Sequence, residues 1–209
     1  MRISAHLNER EIVATEKQIA RKSARAARDA LSAQTRATKS ASICAQAIEA
    51  LDAANLPKGA IVALYAPMGS EVDVLPCAAA AEARGWRPCY PAMLDAAEAE
   101  APMAFFQAST ANARAGESFL GNQLKRYTIA ELTAQFAHVA PDQIDAIIVP
   151  LVAFDETNAR LGYGGGNYDR YLPQLRPDAF VAGVAFAEQR IDRVPTDEHD
   201  RPLPRIFTA

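Results

Sequence analysis

No apolar run in this 209-residue chain approaches the roughly 20 residues that cross a bilayer. The opening stretch, residues 1–10, also lacks the apolar centre of a secretory signal. The expectation is therefore a cytoplasmic protein with no membrane partner. Cysteine is sparse: Cys44, Cys77 and Cys89 show no C-x-x-C spacing and read as reduced, mostly buried thiols of an intracellular protein. Positive charge is not in excess. A formal net charge of −3, with no aromatic RNA motif, argues against a nucleic-acid partner but leaves a local basic pocket open. Of the three histidines, His6 and His138 sit in no motif, and His199 stands between two acids, so none is assigned to catalysis. Internal repeats and low-complexity linkers are absent. Half the residues are apolar and 22% are charged, which excludes a disordered or fibrous chain. The length fits one domain with a sizeable core: an N-terminal extension over 1–12, then a single domain over 13–209.

Glycine and proline punctuate the rest. Residues from about Glu11 to Leu31 contain neither and read as a helix. Ser32 caps a following short helix, and Lys39 to Ala53 reads as another, with Ile43, Ala47, Ile48 and Leu51 on one face. After the break at Pro57-Lys58-Gly59, Ile61 to Tyr65 reads as a buried strand. Val72 to Arg84 is a helix stopped by Gly85. Short strands follow at Arg87 to Pro91 and Met103 to Phe106, a loop from Gln107 to Gly121, and a short helix from Tyr127 to Phe136. Ile144 to Val149 and Val181 to Phe186 are the most strand-like segments. Continuously apolar strands alternating with helices predict an α/β domain of three layers, with a twisted, mostly parallel sheet covered by helices on both faces.

The most informative segment is Arg160-Leu161-Gly162-Tyr163-Gly164-Gly165-Gly166-Asn167-Tyr168-Asp169, directly after the apolar run Ile147 to Phe154. A strand, a glycine-rich turn and a helix start form a phosphate cradle, because glycines expose backbone N–H groups and the helix end adds more. Arg160 suits a phosphate, Tyr163 and Tyr168 a flat ring, and Asp169 a metal ion. The segment fits neither G-x-x-x-x-G-K-[ST] nor the spacing of G-x-G-x-x-G. Taken with Pro150, Val152, Ala153, Phe154 and Asp155, it resembles the signature of the 5-formyltetrahydrofolate cyclo-ligase family, P-x-V-A-F-D followed by R-L-G-x-G-x-G-x-Y-D. Asn167 departs from it, standing where the family has a second aromatic.

Lys17, Arg21, Arg25 and Arg28 share one face of the first helix. Spacing alone makes them a solvated charged stripe. The resemblance assigns more: its K-x-x-x-R and following Ser match Lys17, Arg21 and Ser32, which implies that Lys17 and Arg21 reach a triphosphate, while Arg25 and Arg28 stay at the surface or secondary. Glu71 follows the first strand, where open α/β sheets bind ligands, and the alternative is a helix N-terminal acid. The resemblance implies that Glu71 accepts hydrogen bonds from a folate pterin; Val74 departs from the family's Thr, and Asp73 takes the bland role. The elements F-x-x-Q, L-P and H-D match Phe186 to Gln189, Val194-Pro195 and His199-Asp200, which implies magnesium at Asp200 beside Asp169. Phe119 to Leu124 does not reproduce the family's I-x-E-P segment. The similarity spans about Lys17 to Thr208.

The family resemblance thus implies ATP-dependent closure of 5-formyltetrahydrofolate to 5,10-methenyltetrahydrofolate, on a NagB/RpiA/CoA-transferase-like fold. Catalysis would fall to Lys17, Arg21 and Arg160. ATP would lie on Lys17, Arg21, Arg160, Leu161, Gly162, Tyr163, Gly164, Gly165, Gly166, Asn167 and Tyr168. The folate would lie on Glu71, Tyr163, Gly164, Gly165, Gly166 and Asn167, and Mg2+ on Asp169 and Asp200. The partners are then small molecules and the enzyme a monomer. Two alternatives stand beside this reading: a sugar-phosphate enzyme on a similar fold, and a non-catalytic binder of nucleotide or folate.

Overall fold

Ser32 decides how the chain leaves its first helix. Its extended backbone lets the hydroxyl accept from Thr35 N at 3.0 Å, a cap worth about 1 kcal/mol. The computed structural model describes residues 9–95, 102–197 and 200–209. In it α1 (Glu9–Asp29) precedes this cap and α2 (Ala33–Ala53) follows as one helix, not the two pieces expected. No glycine or proline interrupts Ala33 to Lys39, so nothing divides it. Of the expected N-terminal extension, residues 1–8 lie outside the described residues, and Glu9 to Ile12 belong to α1. No described helix is long and apolar enough to cross a membrane.

The chain continues through β1 (Ile61–Ala63), α3 (Leu75–Ala83), β2 (Arg87–Leu94), β3 (Met103–Gln107), α4 (Thr110–Ala115), β4 (Arg126–Tyr127), α5 (Ile129–Thr133) and β5 (His138–Val139). It then forms β6 (Ala146–Pro150), β7 (Ala153–Phe154), β8 (Arg160–Leu161), α6 (Asn167–Tyr171), β9 (Phe180–Ala185) and β10 (Ile206–Thr208). The main sheet runs β10-β9-β6-β1-β2-β3-β5. Pairings from β10 to β2 are parallel, and β3 and β5 enter antiparallel. Period-two alternation sorts the strand residues onto two faces. Val62, Leu64, Tyr90, Phe106, Ile148 and Val184 meet α2 and α3 on one face. Ile61, Ala63, Phe105, Ile147 and Val149 join Tyr171 of α6 and Leu203 on the other. Covering on both faces explains why β6 is apolar without alternation.

Three expected boundaries shift. The segment 107–121, expected to be a loop, contains α4, opened by a capping box of Ser109 and Asn112 and closed by Gly116. The segment 127–136 contributes α5 after the short strand β4, with Thr128 and Glu131 as its capping box. α3 begins at Leu75 rather than Val72. Asp73 accepts from Leu75 N at 3.0 Å, so Asp73 serves the helix start and Glu71 is left in the turn before it.

The Gly59 to Ala66 region also sets up a gap. Leu64 N donates to the Cys89 carbonyl at 2.9 Å, so Cys89 points its backbone toward β1, and by alternation so does Pro91. β1 ends at Ala63, and β4 takes up the same side of β2 only at Met93. Pro91 faces the interval between them. Lacking an N–H, it leaves no orphan donor where the ladder is interrupted.

Candidate functional site

Arg160 reaches the site through a small ribbon that the sequence reading did not anticipate. β7 and β8 pair antiparallel, with Ala153 opposite Leu161 and Phe154 opposite Arg160. Two-residue strands hold little by themselves, and Asp155 holds the turn between them. Its Oδ1 accepts from Thr157 N at 2.9 Å, Thr157 Oγ1 at 2.6 Å and Ala159 N at 3.2 Å, and its Oδ2 from Val194 N at 2.8 Å. Asn158 supplies the left-handed residue, φ 61°. Gln189, 1% exposed, donates to the carbonyls of both Leu151 and Val152 at 2.9 Å. The Asp155 and F-x-x-Q elements are therefore framework. They fix where Arg160 and the glycine turn begin.

The turn separates two hollows. A polar chamber of about 540 Å³ is bounded by Lys17 and Arg21 of α1, by Arg160, Gly162, Gly164, Gly166 and Asp169 of the signature, and by Asp197 and Asp200. An apolar chamber of about 380 Å³ lies on the other side, bounded by Tyr65, Met68, Glu71, Pro91, Met93, Met103, Tyr163, Asn167 and Tyr168. Arg160, Gly162, Gly166 and Asp169 belong to both walls. Gly164 (φ +102°) and Gly166 (φ +62°) hold left-handed backbone, which glycine alone adopts without strain. A Cβ on Gly166 would also stand 3.0 Å from Arg170.

The Arg160 side chain is 4% exposed and lies 2.9 Å from Asp169 Oδ1. That contact is off the hydrogen-bond axis: Arg160 Nε and Nη2 and Asp169 Oδ1 make no directed hydrogen bond within the protein. A buried guanidinium with unspent donors beside two hollows is a prepared anion site. Arg21 is set by its Nε, which donates to the Gly162 carbonyl at 2.7 Å. Lys17 Nζ lies 2.7 Å from Asp197 and 2.5 Å from Asp200. Burial pulls the Lys17 pKa down, but the hydrogen bonds and charges of Asp197 and Asp200 outweigh it, and the net direction is upward.

In the apolar chamber Glu71 is 8% exposed. Its Oε2 accepts from Met68 N at 2.8 Å and its Oε1 from the Tyr163 hydroxyl at 2.6 Å. Burial raises the Glu71 pKa; Tyr163, Met68 N–H and the Arg28 charge pull it only partly back. The Tyr163 hydroxyl is itself pushed up to about 12, by burial and by Glu71. The carboxylate keeps lone pairs for N–H donors of a flat polar ring. All methionines but Met1 line this chamber, and thioethers pack adaptably on ring faces.

Among the expected site residues, Lys17, Arg21, Arg160, Leu161, Gly162, Gly164, Gly166, Asp169 and Asp200 border the polar chamber. Glu71, Tyr163, Gly165, Asn167 and Tyr168 border the apolar one. Asn167 donates to the Met93 sulfur at 3.5 Å and accepts from Arg170 at 3.1 Å. Arg28, expected at the surface or secondary, is 3% exposed and donates to Ser70 at 2.9 Å and to the Tyr163 hydroxyl at 3.3 Å. Asp197 was not singled out, although it stands three residues before Asp200. His138 lines neither chamber and packs against Phe106, and His6 and His199 lie outside the described residues. All three cysteines are buried and free. No three His, Cys, Asp or Glu side chains among the described residues form a ready metal cage.

The sequence profile of the 5-formyltetrahydrofolate cyclo-ligase family matches residues 13–209. The 5-formyltetrahydrofolate cyclo-ligase of Escherichia coli strain K12 is 39% identical over 87 residues, which cover 41% of this chain and 48% of that protein. The Haemophilus influenzae cyclo-ligase is 41% identical over 69 residues, 32% and 37% of the two chains. The aligned stretch thus spans about half or less of these curated relatives. Over the whole fold, the solved 5,10-methenyltetrahydrofolate synthetase of Mycoplasma pneumoniae aligns with a TM-score of 0.70 at 26% identity, covering 91% of this chain and 97% of that one. The Aquifex aeolicus 5,10-methenyltetrahydrofolate synthetase gives 0.67 at 26% identity, covering 92% and 89%.

Proposed function

Since this chain belongs to the 5-formyltetrahydrofolate cyclo-ligase family, we propose that it closes 5-formyltetrahydrofolate to 5,10-methenyltetrahydrofolate at the expense of ATP, releasing ADP and phosphate. The shared wall carries this reading: one arginine and one glycine turn border a cationic hollow and an apolar hollow at once. A formamide oxygen leaves poorly. Transfer of the γ-phosphoryl to that oxygen makes an iminophosphate; N10 then bonds to the formyl carbon, loses its proton, and the C–O bond breaks with release of phosphate. Such chemistry asks the protein for position and charge neutralisation rather than a nucleophile. Lys17, Arg21 and Arg160, which border the polar chamber, neutralise the migrating group, and the glycine backbone adds N–H donors. Glu71 and the methionines hold and orient the pterin.

Magnesium fits as a partner of the nucleotide. Asp169, Asp197 and Asp200 face the polar chamber without forming a cage, which suits an ion that keeps waters and takes phosphate oxygens. When bound, the ion supplies charge neutralisation to the phosphates. Lys17 lies between Asp197 and Asp200, so a cation held by those carboxylates would leave its ammonium group to a phosphate.

A steady-state assay of methenyl-folate absorbance, run with and without ATP, tests the reaction. Binding of folate with no ADP formed would replace the enzyme by a binder. Asp169→Asn is expected to raise the magnesium concentration for half-maximal turnover about tenfold, with folate affinity unchanged, since an amide is a poor ligand for a hard cation. An unchanged magnesium profile would leave Asp169 as a counter-ion of Arg160 only.

Glu71 supplies a pH test. Its pKa lies above the ordinary 4.5, and protonation removes an acceptor, so kcat/KM for the folate falls as pH drops through that raised value. Glu71→Gln is expected to abolish this acid limb and lower the plateau about tenfold, the loss of one charged hydrogen bond. For stability the sign reverses. A raised carboxyl pKa gives a contribution present below the unfolded value and lost as pH rises through the folded one. The Gln variant is therefore expected to melt no lower than the parent at neutral pH, while binding folate more weakly.

A further inference from the structure

Two thiols that the reaction does not use meet between α2 and α3. Cys44 lies midway along α2 and Cys77 in the first turn of α3, and both are buried. Cys44 Sγ donates to the Asp73 carbonyl at 3.3 Å, and Cys77 Sγ donates to the Cys44 carbonyl at 3.7 Å. The start of α3 explains the approach. Leu75 N donates to Asp73, Pro76 has no N–H, and Ala78 N donates to Val74. Val74 offers no side-chain cap, so the Cys77 N–H turns to the Cys44 sulfur, which also meets the Cys77 thiol. The hydrogen bonds from Cys77, the thiol's first, hold the Cys44 thiol below its usual value against the opposing effect of burial. The same contact, then burial, pushes Cys77 well up. A thiolate-prone sulfur at a helix start, beside a thiol that keeps its proton, is a pair suited to attack an oxidant and then resolve the product. Cys89 packs on the other face of the sheet, and burial pushes its thiol up.

We propose that Cys44 and Cys77 are a modification site, a dithiol that a small peroxide oxidises to a disulfide joining α2 to α3. The cover over the pair is thin: Asp73, whose carbonyl meets Cys44, and Pro76, which precedes Cys77, are both exposed. Such shallow burial suits a water-sized oxidant rather than a bulky disulfide. The Cys44 thiolate attacks one peroxide oxygen, the O–O bond breaks, and the departing hydroxide takes up the proton that Cys44 gave. Cys77 sulfur then attacks the sulfur of the Cys44 sulfenic acid, the S–O bond breaks, and the Cys77 proton leaves with the hydroxyl as water. Two thiols thereby lose two electrons, and the peroxide becomes two waters. Function is reached through the turn that carries Glu71. That turn is tied down by the Tyr65 hydroxyl on the Val72 carbonyl at 2.8 Å, by Ser40 Oγ accepting from Asp73 N at 3.1 Å, and by Cys44 on the Asp73 carbonyl. The disulfide removes the last of these donors. Its effect on folate binding rests on the reading of Glu71 as the pterin acceptor.

The test treats the protein with hydrogen peroxide, denatures it, alkylates the free thiols and measures the mass. The parent is expected to lose about 2 Da, the two thiol hydrogens, and to leave Cys89 alone for alkylation, with all three thiols recovered by a dithiol reductant. Cys77→Ser is expected to stop at the Cys44 sulfenic acid, trapped as a dimedone adduct. Cys44→Ser is expected to keep both remaining thiols, and Cys89→Ser to respond as the parent does. The oxidised parent is expected to bind 5-formyltetrahydrofolate about threefold more weakly by calorimetry, the yield of one weak hydrogen bond. Three alkylatable thiols after peroxide, or protection that survives in Cys44→Ser, would overturn the dithiol. A verified disulfide with unchanged folate affinity would overturn its link to Glu71. If the reduced protein binds no folate, the pterin reading falls, while the mass measurement still decides the dithiol.

Discussion

Arg160→Ala is expected to lower kcat about a thousandfold, the upper range for removing one preorganised donor from a site of developing charge. Three observations set the size. The side chain is 4% exposed, so its field is little screened. Its Nε and Nη2 make no directed hydrogen bond in the protein, so their capacity is reserved for a ligand. Its removal also leaves the Asp169 charge facing both chambers uncompensated, where it repels an incoming phosphoryl group. Single-turnover measurements with saturating ATP separate the chemical step from binding. At saturating magnesium, Arg160→Ala/Asp169→Asn is expected to recover part of the ATP affinity but not the rate. A kcat within tenfold of the parent would reduce Arg160 to a structural counter-ion.

Asp155→Ala is expected to destabilise the fold by about 3 kcal/mol, because it strands two buried donors, Ala159 N and Val194 N, at once. The N–H groups of Thr157, Ala159 and Val194 all terminate on this carboxylate. Burial raises its pKa, but these hydrogen bonds outweigh it and the net direction is downward. A depressed carboxyl pKa gives stability that is present above the unfolded value, near 3.8, and lost as pH falls through the folded one. The stability gap between parent and Asp155→Asn is therefore expected to narrow below about pH 3.8, the ordinary aspartate value. Denaturant titration at neutral and acid pH measures both. A loss under 1 kcal/mol for the alanine variant would mean that the ribbon holds without its turn.

The sequence exposes what local chemistry encodes and conceals what distant partners decide. The glycine turn, Arg160 and Asp169 are adjacent in sequence, so their convergence was readable. The apolar strands β1, β6 and β9 were readable for the same reason, since each carries its own run. Arg28 was not. Its partners Ser70 and Tyr163 lie 42 and 135 positions away, and a stripe of cations at helical spacing looks the same whether water or a protein covers it. The ribbon of β7 and β8 was concealed too, because two-residue strands have no periodicity to read; their stability comes from Asp155 and Gln189. The capping box that opens α4 was legible in principle, as Ser109 and Asn112 at the required spacing.

The apolar chamber exists because a strand stops early. Between the end of β1 at Ala63 and the start of β4 pairing at Met93, the wall is Pro91, and Met93, Met103 and Pro150 stand around it. A resident water needs two to four polar partners, and this wall supplies no backbone donor at Pro91 or Pro150. Under the proposed reaction the phosphorylated formyl group has two fates. Attack by N10 closes the ring, whereas attack by water returns the starting folate and discards the energy of ATP. Under that proposal the prolines and methionines at this gap disfavour the second fate, and the coupling ratio, the number of rings closed for each nucleotide cleaved, is the quantity on which they bear.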